Sequence, residues 1–315
     1  MAEKVMVSEQ YLQDVADSIR TKLNTEDKYK PSEFSSKIDG MNVAKPIEKG
    51  LVIKECDDNG YASVVEVIGL TALPAYAFGT YSTAYLNLLQ KVNTVTLPEN
   101  MTEIGSHAFY YATRLKTLIL PKTLTKIGDG GIRQTPLLIL TELPDTLTSI
   151  GSYAFEGDKK LALTKIPPKL KSISDHTFKG CTDLQVNEIH SGITSIGSSS
   201  FYECKGFTKM RVLGNNVEIK NDAFRYTSLI EFECVGTITS IGNIAFCNNS
   251  DLIKFVINNI TPPTFGTKVF NNTAIADGTG YIYVPDESIE AYQTATNWST
   301  WASQIKGLSE LEVSE

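Results

Sequence analysis

Three histidines and five cysteines make up most of the metal-binding and nucleophilic chemistry available to this 315-residue chain. His107 and His176 each stand two residues before an aromatic that recurs along the sequence. Other copies fill that slot with Tyr153, Ser199, Asp222 and Ile244. A slot so varied reads as a surface slot. A metal ion or a general base needs convergent partners, and none recurs beside these residues or beside His190. The cysteines (Cys56, Cys181, Cys204, Cys234 and Cys247) form no Cys-x-x-Cys pair and no mixed Cys/His ligand set. Their odd number and wide spacing fit reduced thiols packed as small apolar groups. Cys181 and Cys204 share one repeat phase, which permits a bridge between neighbouring turns. Asp57–Asp58 sits in an expected hairpin turn, where Asp is favoured. Paired carboxylates for glycoside cleavage would instead face each other across a cleft. No Gly-x-Ser-x-Gly, phosphate-loop or His-Glu-x-x-His motif is present. The glycosylation-type sequons at Asn248, Asn259, Asn271 and Asn297 read as chance, because no secretory leader is evident. The expectation is a protein with no catalytic residue, no metal and no cofactor.

What remains is recognition chemistry. Tyr110, Tyr111, Arg133, Tyr202, Arg225 and Tyr226 fall one or two residues after the recurring aromatic. Tyr and Arg are the usual anchors of binding surfaces. The plainer reading is that these side chains cover an inward aromatic column from solvent.

The elements that place them follow from a repeat. The column runs Phe78, Phe109, Ile132, Phe155, Phe178, Phe201, Phe224, Phe246 and Phe270, mostly 23 residues apart. Five residues upstream lies a second column: Ile104, Ile127, Ile150, Ile173, Ile196, Ile219 and Ile241. Pro98, Pro121, Pro144 and Pro167 mark a third, each after an aliphatic residue, and Leu115, Leu138, Leu161, Leu184 and Phe207 a fourth. One such turn has a single layer and cannot bury its own apolar side; stacked turns bury it against each other. Ile132 then reads as a core replacement for Phe. Gly105, Gly128, Gly151, Gly197, Gly242 and Gly266 follow the inward aliphatic, where a bend needs positive φ or close backbone approach. Ser174 and Lys220 break that column, so their turns should differ locally.

The consensus Leu-Pro-x-x-Leu-Thr-x-Ile-Gly-x-x-Ala-Phe-x-x-Cys-x-x-Leu, over roughly residues 70 to 275, resembles the BspA-type leucine-rich repeats of bacterial surface proteins. The resemblance implies a β-rich, α/β-like leucine-rich-repeat solenoid with parallel strands, one per repeat of about 23 residues. Segments such as 115–121, ending at Pro121, suit those strands.

The ends differ. Residues 8–23 carry Leu12, Val15, Ala16, Ile19 and Leu23 on one helical stripe behind Ser8, and Pro31 opens a second short helix with Phe34 and Ile38. Residues 51–69 read as a hairpin around Asn59–Gly60. After a strand over 281–284, Asp286 reads as the N-cap of a helix that spaces Ile289, Tyr292, Trp298, Trp301 and Ile305. The two tryptophans suit cap packing more than sugar stacking. The expected organisation is a helical attachment module at 1–45, a hairpin cap at 46–69, the solenoid at 70–279 and a helical C-terminal cap at 280–315.

The N-terminal helices and hairpin are similar to modules of tail-associated proteins in phages of Firmicutes. Together the two resemblances imply a non-enzymatic phage tail or fibre component. It would bind a bacterial surface receptor, glycan or protein, dock to other virion proteins through residues 1–45, and form a homotrimer. The alternative is a BspA-like bacterial surface adhesin. A net charge of -7 argues against a nucleic-acid partner. No run of about 18 apolar residues provides a membrane span.

Overall fold

A computed structural model describes residues 5–8, 50–56, 62–75, 77–78 and 92–311. Its organising element is a strand so short that only its last residue is buried. Ala72–Leu73, Glu103–Ile104, Lys126–Ile127 and Ser149–Ile150 form one parallel sheet. Ser172–Ile173, Ser195–Ile196, Val217–Ile219, Ile238–Ile241 and Thr264–Phe265 form another. Register places Leu73, Ile104, Ile127 and Ile150 over one another, then Ile173, Ile196, Ile219, Ile241 and Phe265. The Ile column of the sequence is thus a physical ladder. Leu73 and Phe265 extend it at the two ends.

The ladder is interrupted between Ile150 and Ile173, and the cause lies at Ser174. In other coils the residue after the inward aliphatic donates its N–H to the preceding coil, as Gly151 does to the Ile127 carbonyl at 2.9 Å. Ser174 instead gives its hydroxyl to the Ile150 carbonyl at 2.6 Å. Lys220 keeps the backbone bond, to Ile196 at 2.9 Å, so only one of the two exceptional coils departs here.

A second set of strands runs along another side of most coils, so the reading of one strand per repeat is corrected to two, except between Ile119 and Glu188, where the coils keep one. Ala62–Ile68, Thr94–Thr96 and Thr117–Ile119 pair in parallel. So do Glu188–Ile189, Lys209–Val212, Glu231–Cys234, Lys254–Ile257, Tyr281–Val284 and Ile305–Gly307. A coil of 23 residues must enclose a core from more than one side. The second strands bury their own apolar residues, Leu118, Ile189, Met210, Phe232 and Phe255, in the same core.

The third side carries the aromatic column without extended strands. Two slots per coil, two residues before and two after the aromatic, adopt left-handed backbone: His107, Gly130, Tyr153 and His176 in the first, Tyr111, Gln134, Gly157 and Gly180 in the second. Alternating handedness turns three N–H groups of each coil toward the next. His107, Phe109 and Tyr111 donate to Asp129, Gly131 and Arg133 at 2.8, 2.8 and 3.1 Å. Such conformations cost roughly 1–2 kcal/mol per non-glycine residue, which these hydrogen bonds offset. Positive φ therefore falls here and not in the Gly column. At Gly105 the constraint is close approach, since a Cβ would lie 2.5 Å from the Leu73 carbonyl oxygen.

Inside, the rings stack coil on coil: Phe155 on Phe178 at 5.7 Å, Phe178 on Phe201 at 5.6 Å and Phe201 on Phe224 at 5.1 Å. Ile132 is fully buried in the same column, as a packing residue should be. Cys181 and Cys204 are free thiols, not a bridge. Each donates its S–H to the Phe carbonyl one coil back, at 3.0 Å.

The hairpin is present: Gly50–Cys56 pairs antiparallel with Ala62–Ile68, and Val5–Ser8 adds a further antiparallel strand. The helices expected over 8–23 and from Pro31, and the Asn59–Gly60 turn, lie outside the described residues. At the other end the continuous cap helix is corrected. Only Ile289–Thr294 is α-helical; Trp298–Gln304 is a 3-10 helix and Ile305 begins a strand. Asp286 caps no helix and binds the Ser309 hydroxyl at 2.5 Å. Trp298 is buried, stacked on Phe265 at 3.8 Å, and donates to the Pro263 carbonyl. It closes the Ile-ladder end by packing.

Candidate recognition ridge

The left-handed slots decide what stands together on the surface. By bending the chain on both sides of each aromatic, they bring the residue two before it beside the residue one after it. The sequence reading singled out only residues after the aromatic. The structure interleaves them with the slot before it, which holds His107, Tyr153, His176 and Asp222.

Arg133 sits between two rings, its guanidinium carbon 5.3 Å from the Tyr110 centroid and 5.2 Å from that of Tyr153. Its Nε meets a Glu156 oxygen at 2.6 Å, and Lys179 reaches the other oxygen at 3.3 Å. Glu156 is thus a nearly buried anion held by one cation from the coil before it and one from the coil after. Tyr153 stacks flat on His176 at 4.5 Å. His107 meets Tyr110 edge-on at 5.4 Å, and Tyr110 meets Tyr111 at 4.5 Å. Further along, Lys179 and Arg225 lie 5.6 and 5.9 Å from the Tyr202 ring, and Arg225 lies 4.9 Å from that of Tyr226. Arg225 also pairs with Asp222 at 3.0 Å. All six predicted residues therefore lie on one ridge crossing six consecutive coils. Tyr153, His107, His176 and Lys179 are members that the sequence reading left out. Tyr111, Tyr153 and Tyr226 are its most exposed rings, at 43%, 37% and 36%.

The ridge holds its charges in ion pairs. Burial is the main cause that lowers the pKa of His107 and of His176, and nearby Arg133 and Lys179 add to it, so both imidazoles are neutral at neutral pH. Arg133 and Lys179 share Glu156, and Arg225 pairs with Asp222. A cation over an exposed ring contributes about 0.5–1 kcal/mol, so this layer braces the coils as well as covering them.

The other polar surface is of a different kind. On the second set of strands Arg211 bridges Glu188 and Glu233 at 3.3 and 2.8 Å, and Lys209 pairs with Glu231 at 3.1 Å. These are exposed cross-strand pairs of small energetic weight. Among the described residues no group of three or more His, Cys, Asp and Glu is arranged to hold a metal, and no helix is long and apolar enough to cross a membrane.

The coil geometry now has a counterpart among known proteins. The model of the BspA type Leucine rich repeat region matches residues 79–205 and 171–287. The chain belongs to that family. Among solved structures, a leucine-rich repeat protein from Bacteroides ovatus is similar over 76% of this chain and 71% of its own, with 18% identity and a TM-score of 0.50. A leucine rich cell surface protein from Faecalibacterium prausnitzii is 17% identical over 84% of this chain and 95% of its own, at a TM-score of 0.36. The pneumococcal vaccine antigen PcpA is 16% identical over 79% and 71%, at 0.40. At these identities the likeness is one of fold. No curated protein matches the chain. In the BspA type repeat of this chain, the fixed Ile, Gly and Phe columns build the coil and the variable slots around Phe build the ridge.

Proposed function

We propose that this chain is a non-enzymatic recognition protein of the adhesin type, presented at a bacterial cell surface, and that the ridge is where its receptor binds. The observation that carries the reading is the unbroken Tyr, Arg and His layer over six coils, fixed by backbone hydrogen bonds at every coil. Such a surface is rigid before binding, which lowers the entropy lost on association. Family membership supports a surface role. The phage-tail and trimer readings draw on residues 1–45, of which only Val5–Ser8 are described, as a strand. The adhesin reading is therefore preferred.

The test is adhesion of the purified, labelled chain to candidate target cells. Arg225→Ala together with Tyr226→Ala should reduce binding at least about tenfold, as loss of a central anchor pair does, while circular dichroism stays unchanged. The cross-strand control Arg211→Ala should bind as the parent does. If the ridge variant adheres as well as the parent, the ridge is not the binding surface.

A further inference from the structure

Charge is unevenly placed along the solenoid. Three successive coils present residues 113–126, 136–149 and 159–172 between the aromatic turn and the next Ile strand, on the side where other coils carry the second strands. These segments hold nine Lys and Arg and two carboxylates, Glu142 and Asp145. The matching segments of the next four coils, 182–195, 205–218, 227–240 and 250–264, hold four Lys and Arg and six carboxylates. The sign therefore reverses at Asp183, in a chain whose net charge is -7.

Ion pairing leaves most of the excess in place. Lys126 is held by Glu103 at 2.7 Å and Lys165 by Asp145 at 3.0 Å. Arg114, Lys116 and Lys122 on the first segment are exposed and have no carboxylate partner among the described residues. The same holds for Lys159, Lys160, Lys169 and Lys171 on the third. On the matching side of the later coils, by contrast, Arg211 and Lys209 are bridged to carboxylates.

The two cationic segments are separated by one coil. Ile139 donates its N–H to the Lys116 carbonyl at 3.2 Å, and Ala162 donates to the Leu140 carbonyl at 2.9 Å. Neighbouring coils lie about 4.8 Å apart, which sets the two rows of cations about 10 Å apart. The coil between them carries Ile139, 57% exposed. Two rows of cations beside an apolar strip fit a linear polymer with anionic groups on both edges and C–H faces between. No aromatic side chain lies in the three segments, so nucleic-acid bases find no stacking platform there. Nor do the segments hold a helix to enter the groove of a duplex. Six of the seven unpaired cations are Lys, whose compact charge lacks the fork that makes Arg selective for phosphate.

We propose that this face is a second recognition site, independent of the ridge, and that its ligand is a linear sulfated polysaccharide laid between the two rows of cations. Sulfates on one edge meet Arg114, Lys116 and Lys122, those on the other meet the four lysines of the third segment, and the sugar C–H faces pass over Ile139.

The experiment is calorimetric titration of the full chain with heparin, with desulfated heparin, with duplex DNA and with phosphatidylserine vesicles. Heparin should bind, and its affinity should fall at least about tenfold between about 50 and 200 mM salt as counterions compete. Desulfated heparin should not bind, and DNA and vesicles should bind at least about tenfold more weakly. Lys159→Gln, Lys160→Gln, Lys169→Gln and Lys171→Gln together should weaken heparin binding at least about tenfold, with thermal unfolding unaltered; arginine at the same four positions should restore it. Lys205→Gln, Lys209→Gln, Lys254→Gln and Lys268→Gln together change the net charge equally and should leave heparin affinity within about twofold of the parent. No heparin binding at low salt overturns the proposal. So does equal affinity for desulfated heparin, DNA or vesicles, or an equal effect of the two glutamine sets, which would mean that net charge alone acts. Arg225→Ala with Tyr226→Ala should leave heparin binding unchanged, so a failure of this site and a failure of the ridge are read separately.

Discussion

Three residues past each aromatic lies a column whose members satisfy backbone carbonyls from inside the core. Thr135 donates to Ile132, Cys181 to Phe155, Cys204 to Phe178, and Asn249 to both Phe224 and Phe246. Asp158 is the misfit. It is wholly buried, one oxygen accepts the Thr135 N–H at 2.6 Å, and the other has no partner among the described residues. Burial pushes its pKa well above the usual carboxylate range; the Thr135 N–H hydrogen bond opposes this, and the nearby Glu156 carboxylate adds to it. For a group whose folded pKa is raised, the stability it contributes is fully present below the unfolded value near 4. It is lost as pH rises through the folded value. Asp158→Asn supplies the donor that Asn249 uses in the same slot. At pH 7 it should raise stability by about 1–3 kcal/mol, the cost of an unsatisfied buried group. Urea melts at pH 7 and pH 4 check this: the gain should shrink toward zero at the lower pH. An equal gain at both pH values would show that Asp158 is not the titrating defect.

At the scale of elements, the cap and the coil differ in how legible they were. The Ile ladder was readable because a two-residue strand needs only one inward side chain, and that residue recurs. The second strands were harder to read, because their inward residues vary in type (Val95, Leu118, Ile189, Met210, Phe232) and the coils between Ile119 and Glu188 have none. The ridge was half legible: the residues after Phe stood out, but their neighbours before it do not lie beside them until the backbone turns left-handed. In the cap, apolar spacing near 3.6 suggested one helix. Tertiary demand overrode it, because the coil's last edge needs a strand at Ile305–Gly307 and a flat ring over Phe265. Trp298→Ala removes that ring and leaves the Pro263 carbonyl without its donor, a loss of about 3–5 kcal/mol by large-to-small precedent. Hydrogen exchange should localise the damage to the last coils, around Thr264–Phe265 and Tyr281–Val284. Uniform loss of protection through to the hairpin would mean the solenoid unfolds as one cooperative block.

Across the whole molecule, nearest-neighbour interfaces set the stability of a stacked array, so a weak interface divides it. Several weaknesses coincide in one zone. Ile132 interrupts the aromatic stack between Phe109 and Phe155, and Ser174 interrupts the Ile ladder. The stretch between Ile119 and Glu188 lacks the second strands, and Asp158 is buried there without a full set of partners. The same zone carries the strongest surface brace: Arg133, Glu156 and Lys179 link three successive coils, and Tyr153 stacks on His176. The ridge therefore also fastens the two halves of the solenoid together. Glu156→Gln breaks both ion pairs and leaves two cations crowded over a nearly buried amide, while the Phe stacks on either side remain intact. Urea unfolding of this variant should separate into two transitions, with exchange protection lost first between residues 132 and 174 and retained in the Phe201–Phe246 coils. A single transition, shifted but still sharp, would mean that the backbone ladder of the aromatic turn alone carries cooperativity through the junction, and that the ion pairs there are only surface decoration.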